Sequence, residues 1–177
     1  MIVVGENLSS LISQHKIVEN VNECYDETSI ALSLDNNITD IIPTGDMTFV
    51  YGNELPLEWI KERCLNNDEF LTLGPGESAL GCSHERVNIP VGYFGILQTK
   101  GSLARLFVTI HCCDAQIEPG FSGKITFEIV NFSKMTIKIR PKEKIGALFL
   151  FKTSTNIVKP YNGRYNNSDK PTIQKKI

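Results

Sequence analysis

The sequence predicts a mainly β protein, an antiparallel sandwich or barrel whose helices are short and lie near the N-terminus. From residue 70 onward, short apolar or alternating runs are separated by turns rich in Gly, Pro, Asn or Lys, about one every ten residues. The pattern is not the regular alternation of strands with long helices that βα units produce. The 177 residues suit one domain with a substantial core, and 41% hydrophobic and 21% charged residues are typical of a globular protein.

The N-terminal third combines a helix pattern with a strand pattern. Residues 5–16 carry leucine and isoleucine at helical spacing, which predicts a short amphipathic helix. Residues 28–34 alternate large apolar with small side chains, which predicts a strand. Residues 53–69 place a few apolar side chains among charges, and this pattern leaves a second short helix and an insertion loop as alternatives.

The remainder of the chain supplies the strands of the predicted sandwich or barrel. The runs are FLTL (70–73), ESALGCSHERVNIP (77–90), YFGILQTKGSLARLFVTIHC (93–112), AQIEPGFSGKITFEIVN (115–131) and MTIKIRPKEKIGALFLF (135–151). Residues 160–177 lack apolar periodicity and are rich in Asn, Gly and Lys. We therefore expect a single domain over residues 1–159, followed by an irregular tail over 160–177.

Charge and cysteine content restrict the classes of function. The formal net charge of −2 argues against a protein that binds nucleic acid through many phosphate contacts. The opening MIVVGENLSS does not resemble a signal peptide, and no apolar run is long enough to span a membrane. Five irregularly spaced cysteines are typical of reduced thiols, so a cytoplasmic protein is expected.

A zinc-dependent base deaminase is not expected from this sequence. Such enzymes carry His-x-Glu and Pro-Cys-x-x-Cys, and this chain has no Cys-x-x-Cys. Cys112 and Cys113 are adjacent, and neighbouring residues of a strand point to opposite faces, so we interpret them as buried or half-buried strand residues. Ser102 has no Gly-x-Ser-x-Gly context that would indicate a nucleophile.

Two segments contain groups suited to chemistry. Lys100, Ser102 and Arg105 combine two cations and a hydroxyl around a glycine, which fits a phosphate cradle or, alternatively, an ordinary Lys-Gly turn before a strand. Glu128 lies in the apolar run ITFEIV, where strand alternation places it on the face opposite the large apolar side chains. It is either a solvent-facing residue of an edge strand or a pocketed carboxylate whose pKa is raised toward neutrality, as a general acid/base requires.

Taken together, five ordered blocks resemble the dCTP deaminase family, which shares its fold with the trimeric dUTPases. The blocks are KGSLAR (100–105), IEPGFSG (117–123), ITFEIVN (125–131), RPKEKIGAL (140–148) and PYNGRYN (160–166). The resemblance implies a dUTPase-like distorted jelly-roll or β-barrel that assembles as a homotrimer with sites between subunits. It also implies zinc-independent deamination of dCTP to dUTP and ammonia, in the synthesis of dUMP and dTTP.

The resemblance further implies the roles of individual residues. Glu128 would be the general acid/base, with Ser102 and Arg105 orienting the water and holding phosphate oxygens, while Mg²⁺ binds through the phosphates. Phe121 would pack under the deoxyribose, and the tail would close over the nucleotide. The implied nucleotide-binding residues are Lys100, Gly101, Ser102, Arg105, Glu118, Phe121, Thr126, Phe127, Tyr161, Arg164 and Tyr165.

The sequence departs from the family pattern at several positions, and this leaves alternatives open. Gly101 replaces a serine, Asp114 introduces a carboxylate near the expected base site, Glu118 replaces an aspartate, Ala31 replaces an acid, and Ser168 stands where glutamine is common. A carboxylate near Glu128 would raise the pKa of one of the two groups. One alternative is a dUTP diphosphatase or a bifunctional enzyme that forms dUMP, and another is a non-catalytic nucleotide-binding homologue.

Overall fold

A computed structural model of the chain describes residues 1–18, 25–45, 48–155 and 159–174. Its helices are α1 (Gly5–His15) and α2 (Gly101–Ala104), with one 3₁₀ turn at Leu57–Trp59. The strands are β1 (Ile30–Ser33), β2 (Asn37–Ile41), β3 (Ile60–Cys64), β4 (Leu71–Leu73), β5 (Ser78–Cys82), β6 (Val87–Asn88), β7 (Tyr93–Thr99), β8 (Val108–Thr109), β9 (Gln116–Ile117), β10 (Ser122–Gly123), β11 (Thr126–Asn131), β12 (Ile137–Ile139) and β13 (Lys144–Lys152).

Two larger antiparallel sheets form the body of the fold. One has the strand order β1-β13-β7-β9 and the other β3-β2-β5-β11-β8, while β10-β6 and β12-β4 form small two-stranded sheets. The named strand pairs are all antiparallel. The predicted mainly β fold with few short helices is therefore confirmed.

Helix α1 closes one side of the core, as its spacing predicts. Leu8, Leu11 and Ile12 are buried, and the helix ends where Lys16 adopts a left-handed conformation. The hydrophobic core draws on α1 and on both larger sheets. Within the described ranges, the structure has no helix long and apolar enough to cross a membrane.

Residues 53–69 form neither of the two structures expected from the sequence. After the 3₁₀ turn, the segment continues as β3 and pairs with β2 along the edge of the five-stranded sheet. Trp59 anchors the start of β3, being 7% exposed, and the charged residues that obscured the strand pattern sit on the edge. One of them, Arg63, pairs with Asp40 on β2 at 2.7 Å. Tertiary pairing thus overrides the local charge pattern, which is permissible on an edge strand.

Strand β11 lies inside its sheet rather than at the edge. Its neighbours are β5 on one side and β8 on the other, with Glu128 opposite Leu80 of β5. Phe127 and Ile129 are fully buried, whereas Glu128 on the alternate face is half-buried. Of the two alternatives that the sequence left open, Glu128 is therefore not the solvent-facing residue of an edge strand.

The tail crosses back over the domain instead of extending from it. The backbone N–H groups of Tyr161 and Asn167 donate to the carbonyls of Pro119 and Ser122, and that of Lys124 donates to Ser168. Gly120 has a positive φ of 91°, and a Cβ there would lie 2.5 Å from the Cβ of Pro160. A glycine is therefore needed at 120 for the backbone angle and for the close approach of the tail.

Candidate active site

A cavity of about 750 Å³ lies between β11, β5, the segment that leads into β9, and the tail. Six of the residues selected from the sequence line it: Glu118, Phe121, Thr126, Glu128, Tyr161 and Tyr165. Tail residues 172–174 complete part of the wall. Thr126, Glu128 and Val130 lie on the face of β11 opposite the core, and this face forms the floor of a large concave site.

Glu128 is positioned by the backbone of β11. Its N–H donates to the carbonyl oxygen of Ile110 at 2.8 Å, which holds this stretch of strand against the chain that follows β8. Burial raises the pKa of the Glu128 carboxyl, and the negative charge of Asp114 raises it further. A carboxylate whose pKa is raised is a stronger proton acceptor than an ordinary glutamate.

Asp114 reaches the cavity through a tight turn. Its N–H donates to the carbonyl oxygen of His111 at 2.6 Å. Cys112 and Cys113 between them have positive φ angles of 31° and 79°, and both side chains are exposed. The expectation that these cysteines are buried or half-buried strand residues was wrong, because the chain turns after Ile110. A non-glycine residue in this conformation costs about 1 kcal/mol or more, and such strain is commonly found at functional sites.

A buried ion pair that the sequence did not reveal braces one wall. Lys124 lines the cavity, and its ammonium donates to Asp35 at 2.7 Å. Burial alone would raise the pKa of Asp35, but hydrogen bonds from Lys124 and Asn37 outweigh it and lower the pKa. The imidazole Nδ1 of His84 lies 3.3 Å from the same carboxylate. Lys124 and Asp35 are 89 positions apart, so no local pattern indicates their contact.

The tail contacts the cavity through rings and hydroxyls. The ring centroids of Phe121 and Tyr161 are 6.2 Å apart at an interplanar angle of 44°, within the range of favourable aromatic pairs. The hydroxyls of Thr126 and Thr172 are 2.8 Å apart, and the Thr172 N–H donates to Thr126 at 3.0 Å. Burial raises the pKa of the Tyr161 phenol. The tail is thus part of the cavity wall in the described chain.

The predicted phosphate-binding segment lies outside this cavity. Lys100, Gly101, Ser102 and Arg105 are exposed at and around α2, and none of them lines the wall that carries Glu128. Instead, Ser102 borders a second cavity of about 390 Å³, beside Arg140 and Lys144 among others. One chain therefore does not bring the α2 segment together with Glu128.

The side chain of Arg105 lies close to the backbone of Gly101. A Cβ at this position would lie 3.0 Å from the Nη1 atom of Arg105. The guanidinium therefore folds back over the glycine, in the space that a side chain would occupy. A serine here would have to displace the arginine by a few tenths of an ångström.

Two further residues from the sequence prediction lie away from the cavity. Phe127 is 0% exposed and belongs to the hydrophobic core, because it faces inward on β11. Its side chain faces away from the cavity, so a contact of Phe127 with a nucleotide there would involve its backbone. Arg164 is exposed and does not line the wall, whereas its neighbour Tyr165 does.

The described cysteines, Cys64, Cys82, Cys112 and Cys113, are free thiols, and Cys24 lies outside the described residues. Burial raises the pKa of Cys82 to about 12, so this thiol stays protonated and packs as a small apolar residue. Across the described ranges, His, Cys, Asp and Glu side chains form no group of three or more that could hold a metal ion.

Comparison with known proteins matches the chain to one family in particular. Residues 2–153 match the family described as dCTP deaminase-like. A dCTP deaminase of Alteromonas mediterranea is 45% identical over 100 residues, which are 56% of this chain and 51% of that relative. A dCTP deaminase of Idiomarina loihiensis is 38% identical over 103 residues, 58% of this chain and 53% of that protein. The chain thus spans about half the length of the curated relatives it matches.

The fold also has a counterpart among solved structures. A 2′-deoxycytidine 5′-triphosphate deaminase from Agrobacterium tumefaciens superposes with a TM-score of 0.65, covering 86% of this chain and 48% of that one. At 14% identity this similarity concerns the fold alone. The family match covers most of the sequence, including β11, Glu128 and the first four of the five blocks, and agrees with the family resemblance inferred from the sequence. The chain belongs to the dCTP deaminase-like family.

Proposed function

We propose that this protein deaminates dCTP to dUTP and ammonia, with Glu128 as the general acid/base. The observation that carries the proposal is the half-buried Glu128 carboxyl, which lines a cavity large enough for a nucleotide and has a raised pKa. A raised pKa makes the carboxylate a better proton acceptor, and the resulting acid can return the proton, as a general acid/base requires. In the cell, the reaction would supply dUTP for the synthesis of dUMP and dTTP.

In the proposed reaction, the Glu128 carboxylate takes a proton from a water molecule whose oxygen bonds to C4 of cytosine. Glu128 then delivers this proton to the ring nitrogen N3, which gives a tetrahedral C4 with one hydroxyl and one amino group. Transfer of the hydroxyl proton to the amino group breaks the C4–N bond and forms the C4 carbonyl. Cytosine and water thus become uracil and ammonia, with Glu128 regenerated.

The apolar part of the cavity suits the sugar. Phe121 is 8% exposed and packs with Tyr161 of the tail, so the two rings present an apolar surface at one end of the cavity. A deoxyribose fits against such a surface better than a ribose, whose 2′-hydroxyl would lose its hydration there. The tail would close over the bound nucleotide and exclude water, which would strengthen the charge interactions of Glu128.

The phosphates would be held by a second copy of the chain. Lys100, Ser102 and Arg105 offer donors suited to phosphate oxygens, yet they lie outside the cavity of their own chain. We propose a homotrimer in which α2 of one subunit completes the cavity of the next. Magnesium would arrive with the nucleotide and neutralise part of the phosphate charge, while Lys100, Ser102 and Arg105 donate to the phosphate oxygens.

One observation favours a second candidate function. Glu118 lines the same cavity as Glu128, and a carboxylate at this position could activate water toward the α-phosphate. The chain would then act as a dUTP diphosphatase, or carry out both steps and release dUMP.

Assays with dCTP and dUTP in the presence of magnesium, following ammonia and pyrophosphate separately, distinguish these functions. Ammonia from dCTP without pyrophosphate supports the deaminase. Pyrophosphate from dUTP supports the diphosphatase, and both products from dCTP support the bifunctional enzyme. Saturable binding of dCTP with neither product would contradict both catalytic functions.

A further inference from the structure

The charge of the cavity is unusual for a site that binds a polyanionic nucleotide. Three carboxyl-bearing residues line it, Asp114, Glu118 and Glu128. Among the described residues, Lys124 is the one basic side chain on its wall, and Lys124 already pairs with the buried Asp35 at 2.7 Å. The wall therefore disfavours anionic or acceptor-rich groups and favours a ligand part that donates hydrogen bonds.

Asp114 is held in this wall by a defined turn. The 2.6 Å hydrogen bond from its N–H to His111 closes the turn, and two consecutive left-handed cysteines direct the chain into the cavity. Asp114 and Glu128 interact electrostatically, since the Asp114 charge raises the pKa of Glu128. Glu128 of β11 also forms a β-bridge with His111, the residue at the start of this turn, so the turn that carries Asp114 lies beside Glu128. Both carboxyl-bearing residues line the cavity there.

The substrate and product of the proposed reaction differ at this end of the ring. Cytosine presents a 4-amino donor and an unprotonated N3, while uracil and thymine present a 4-oxo acceptor and an N3–H donor. An ionised carboxylate accepts a hydrogen bond from the amino group, and such charge-assisted bonds are the stronger ones. The same carboxylate facing a 4-oxo group brings two acceptors together, with no proton between them.

We infer that Asp114 determines base specificity, its carboxylate accepting a hydrogen bond from the 4-amino group of cytosine and disfavouring 4-oxo pyrimidines. This inference rests on the proposed function, because it places the base beside Glu128. It has a consequence for turnover, since conversion of the amino group to a carbonyl removes the attractive contact and creates a repulsive one. The deaminated product is then bound more weakly than the substrate, which favours its release.

Binding measurements in a Glu128→Gln background test the inference without turnover of dCTP. We compare the ratio Kd(dUTP)/Kd(dCTP), measured by titration calorimetry, with and without Asp114→Asn. The asparagine amide donates to a 4-oxo group and no longer carries a charge, so the ratio is expected to fall about tenfold. Asp68→Asn makes the same chemical change on the exposed surface outside the cavity, and it should leave the ratio unchanged.

The outcomes are separable from those of the proposed function. The role of Asp114 is overturned if Asp114→Asn leaves the ratio within about threefold of that of Asp68→Asn, or raises it. It is also overturned if the Glu128→Gln protein with Asp114 intact shows no measurable binding of dCTP. Failure of the proposed function would appear independently, as wild-type protein that releases no ammonia from dCTP. Asp114→Glu retains the charge and is expected to keep dCTP the preferred ligand, whereas a loss of preference equal to that of Asp114→Asn would contradict the charge-based reading.

Discussion

Glu128 occupies a half-buried position that disfavours its ionised form. Because its pKa is raised in the folded state, mainly by burial and further by Asp114, the folded protein holds this proton more tightly than the unfolded chain does. Stability from this residue therefore falls as the pH rises from the ordinary glutamate pKa through the raised one. Above that window, the ionised carboxylate lowers the free energy of unfolding.

Glu128→Gln is accordingly expected to be more stable than the wild type at neutral pH and to lose this advantage in acid. Urea denaturation of both proteins at neutral and acidic pH measures the difference. Glu58→Gln, at an exposed position of the 3₁₀ turn, is the matched control. A stability difference that does not change with pH, or that favours the wild type at neutral pH, would show that Glu128 is not disfavoured as an anion.

Lys124 stabilises the cavity wall by compensating a buried charge. The Asp35 side chain is 6% exposed and that of Lys124 is 20% exposed. Lys124→Met leaves the carboxylate with Asn37 and His84 as partners, and a loss of about 3 kcal/mol in the free energy of unfolding is expected. The double variant Lys124→Met/Asp35→Asn should recover part of this loss, while Lys61→Met on the exposed edge strand should have little effect.

The contribution of the Lys124–Asp35 pair to the free energy of unfolding changes with pH in the opposite direction to that of Glu128. The pKa of Asp35 is lowered on folding, so its contribution is present above the pKa of an unfolded aspartate and is lost as the pH falls. The Lys124→Met penalty should therefore shrink in acid. If Lys124→Met is as stable as the Lys61→Met control at neutral pH, the Lys124–Asp35 pair does not stabilise the cavity wall.

Among the elements of the fold, the tail depends on a glycine in the turn before β10. An alanine at position 120 would be strained by the positive φ of 91°. Its Cβ would also lie 2.5 Å from the Cβ of Pro160 and 2.9 Å from the backbone nitrogen of Tyr161. Gly120→Ala is expected to displace the tail, raise the KM for dCTP about tenfold and speed tryptic cleavage after Arg164 as the tail loses its contacts. The measurements are steady-state kinetics and the rate of tryptic cleavage within residues 160–174.

Gly76→Ala separates backbone strain from loss of the tail contact. Gly76 has a comparable φ of 78°, but a Cβ there meets nothing within 4 Å. The Gly76→Ala variant should be less stable than the wild type, with the same KM for dCTP and the same rate of tail cleavage. If the two alanine variants change KM equally, the contact between Gly120 and Pro160 does not position the tail.

Elements whose own periodicity matches their burial could be predicted from the sequence. Helix α1 and strand β11 are of this kind, because each buries one face that the residue spacing reveals. Strand β3 could not be predicted, since its pairing with β2 lies on an edge and charged residues interrupt its pattern. The turn at Cys112 and Cys113 was missed because nothing in two adjacent cysteines indicates left-handed backbone.

The residues of the candidate site could likewise be predicted only where a local sequence pattern indicates them. Glu128 could be selected because a carboxylate within an apolar strand is conspicuous, and the family resemblance then gave it a role. The Lys124–Asp35 pair could not, because it joins residues 89 positions apart. Phe127 shares the motif of Glu128 but faces the core, so membership of a motif did not establish contact with the cavity.

At the scale of the whole molecule, the two groups of residues proposed to form the active site lie apart within one chain. Glu128 lines the large cavity, whereas Arg105 is exposed beside α2 outside it. If the two groups meet between subunits of a trimer, Glu128→Gln and Arg105→Ala should each be inactive alone and complement each other when mixed. Random mixing in a three-fold ring restores one intact site in each mixed trimer, about a quarter of wild-type activity.

The mixing experiment requires unfolding and refolding together, or co-expression, so that subunits exchange. Two Glu128→Gln preparations treated in the same way serve as the control. Activity of the mixture no greater than that of the separate variants would place Glu128 and Arg105 in the same subunit's site, or remove Arg105 from the reaction.

Release of ammonia from dCTP by the wild type and by Glu128→Gln decides whether this carboxyl carries the chemistry. The glutamine variant should bind dCTP while its rate of ammonia release falls by a factor on the order of 10²–10⁴, the usual contribution of a general acid/base. A Glu128→Gln protein that releases ammonia at the wild-type rate would contradict proton transfer by Glu128.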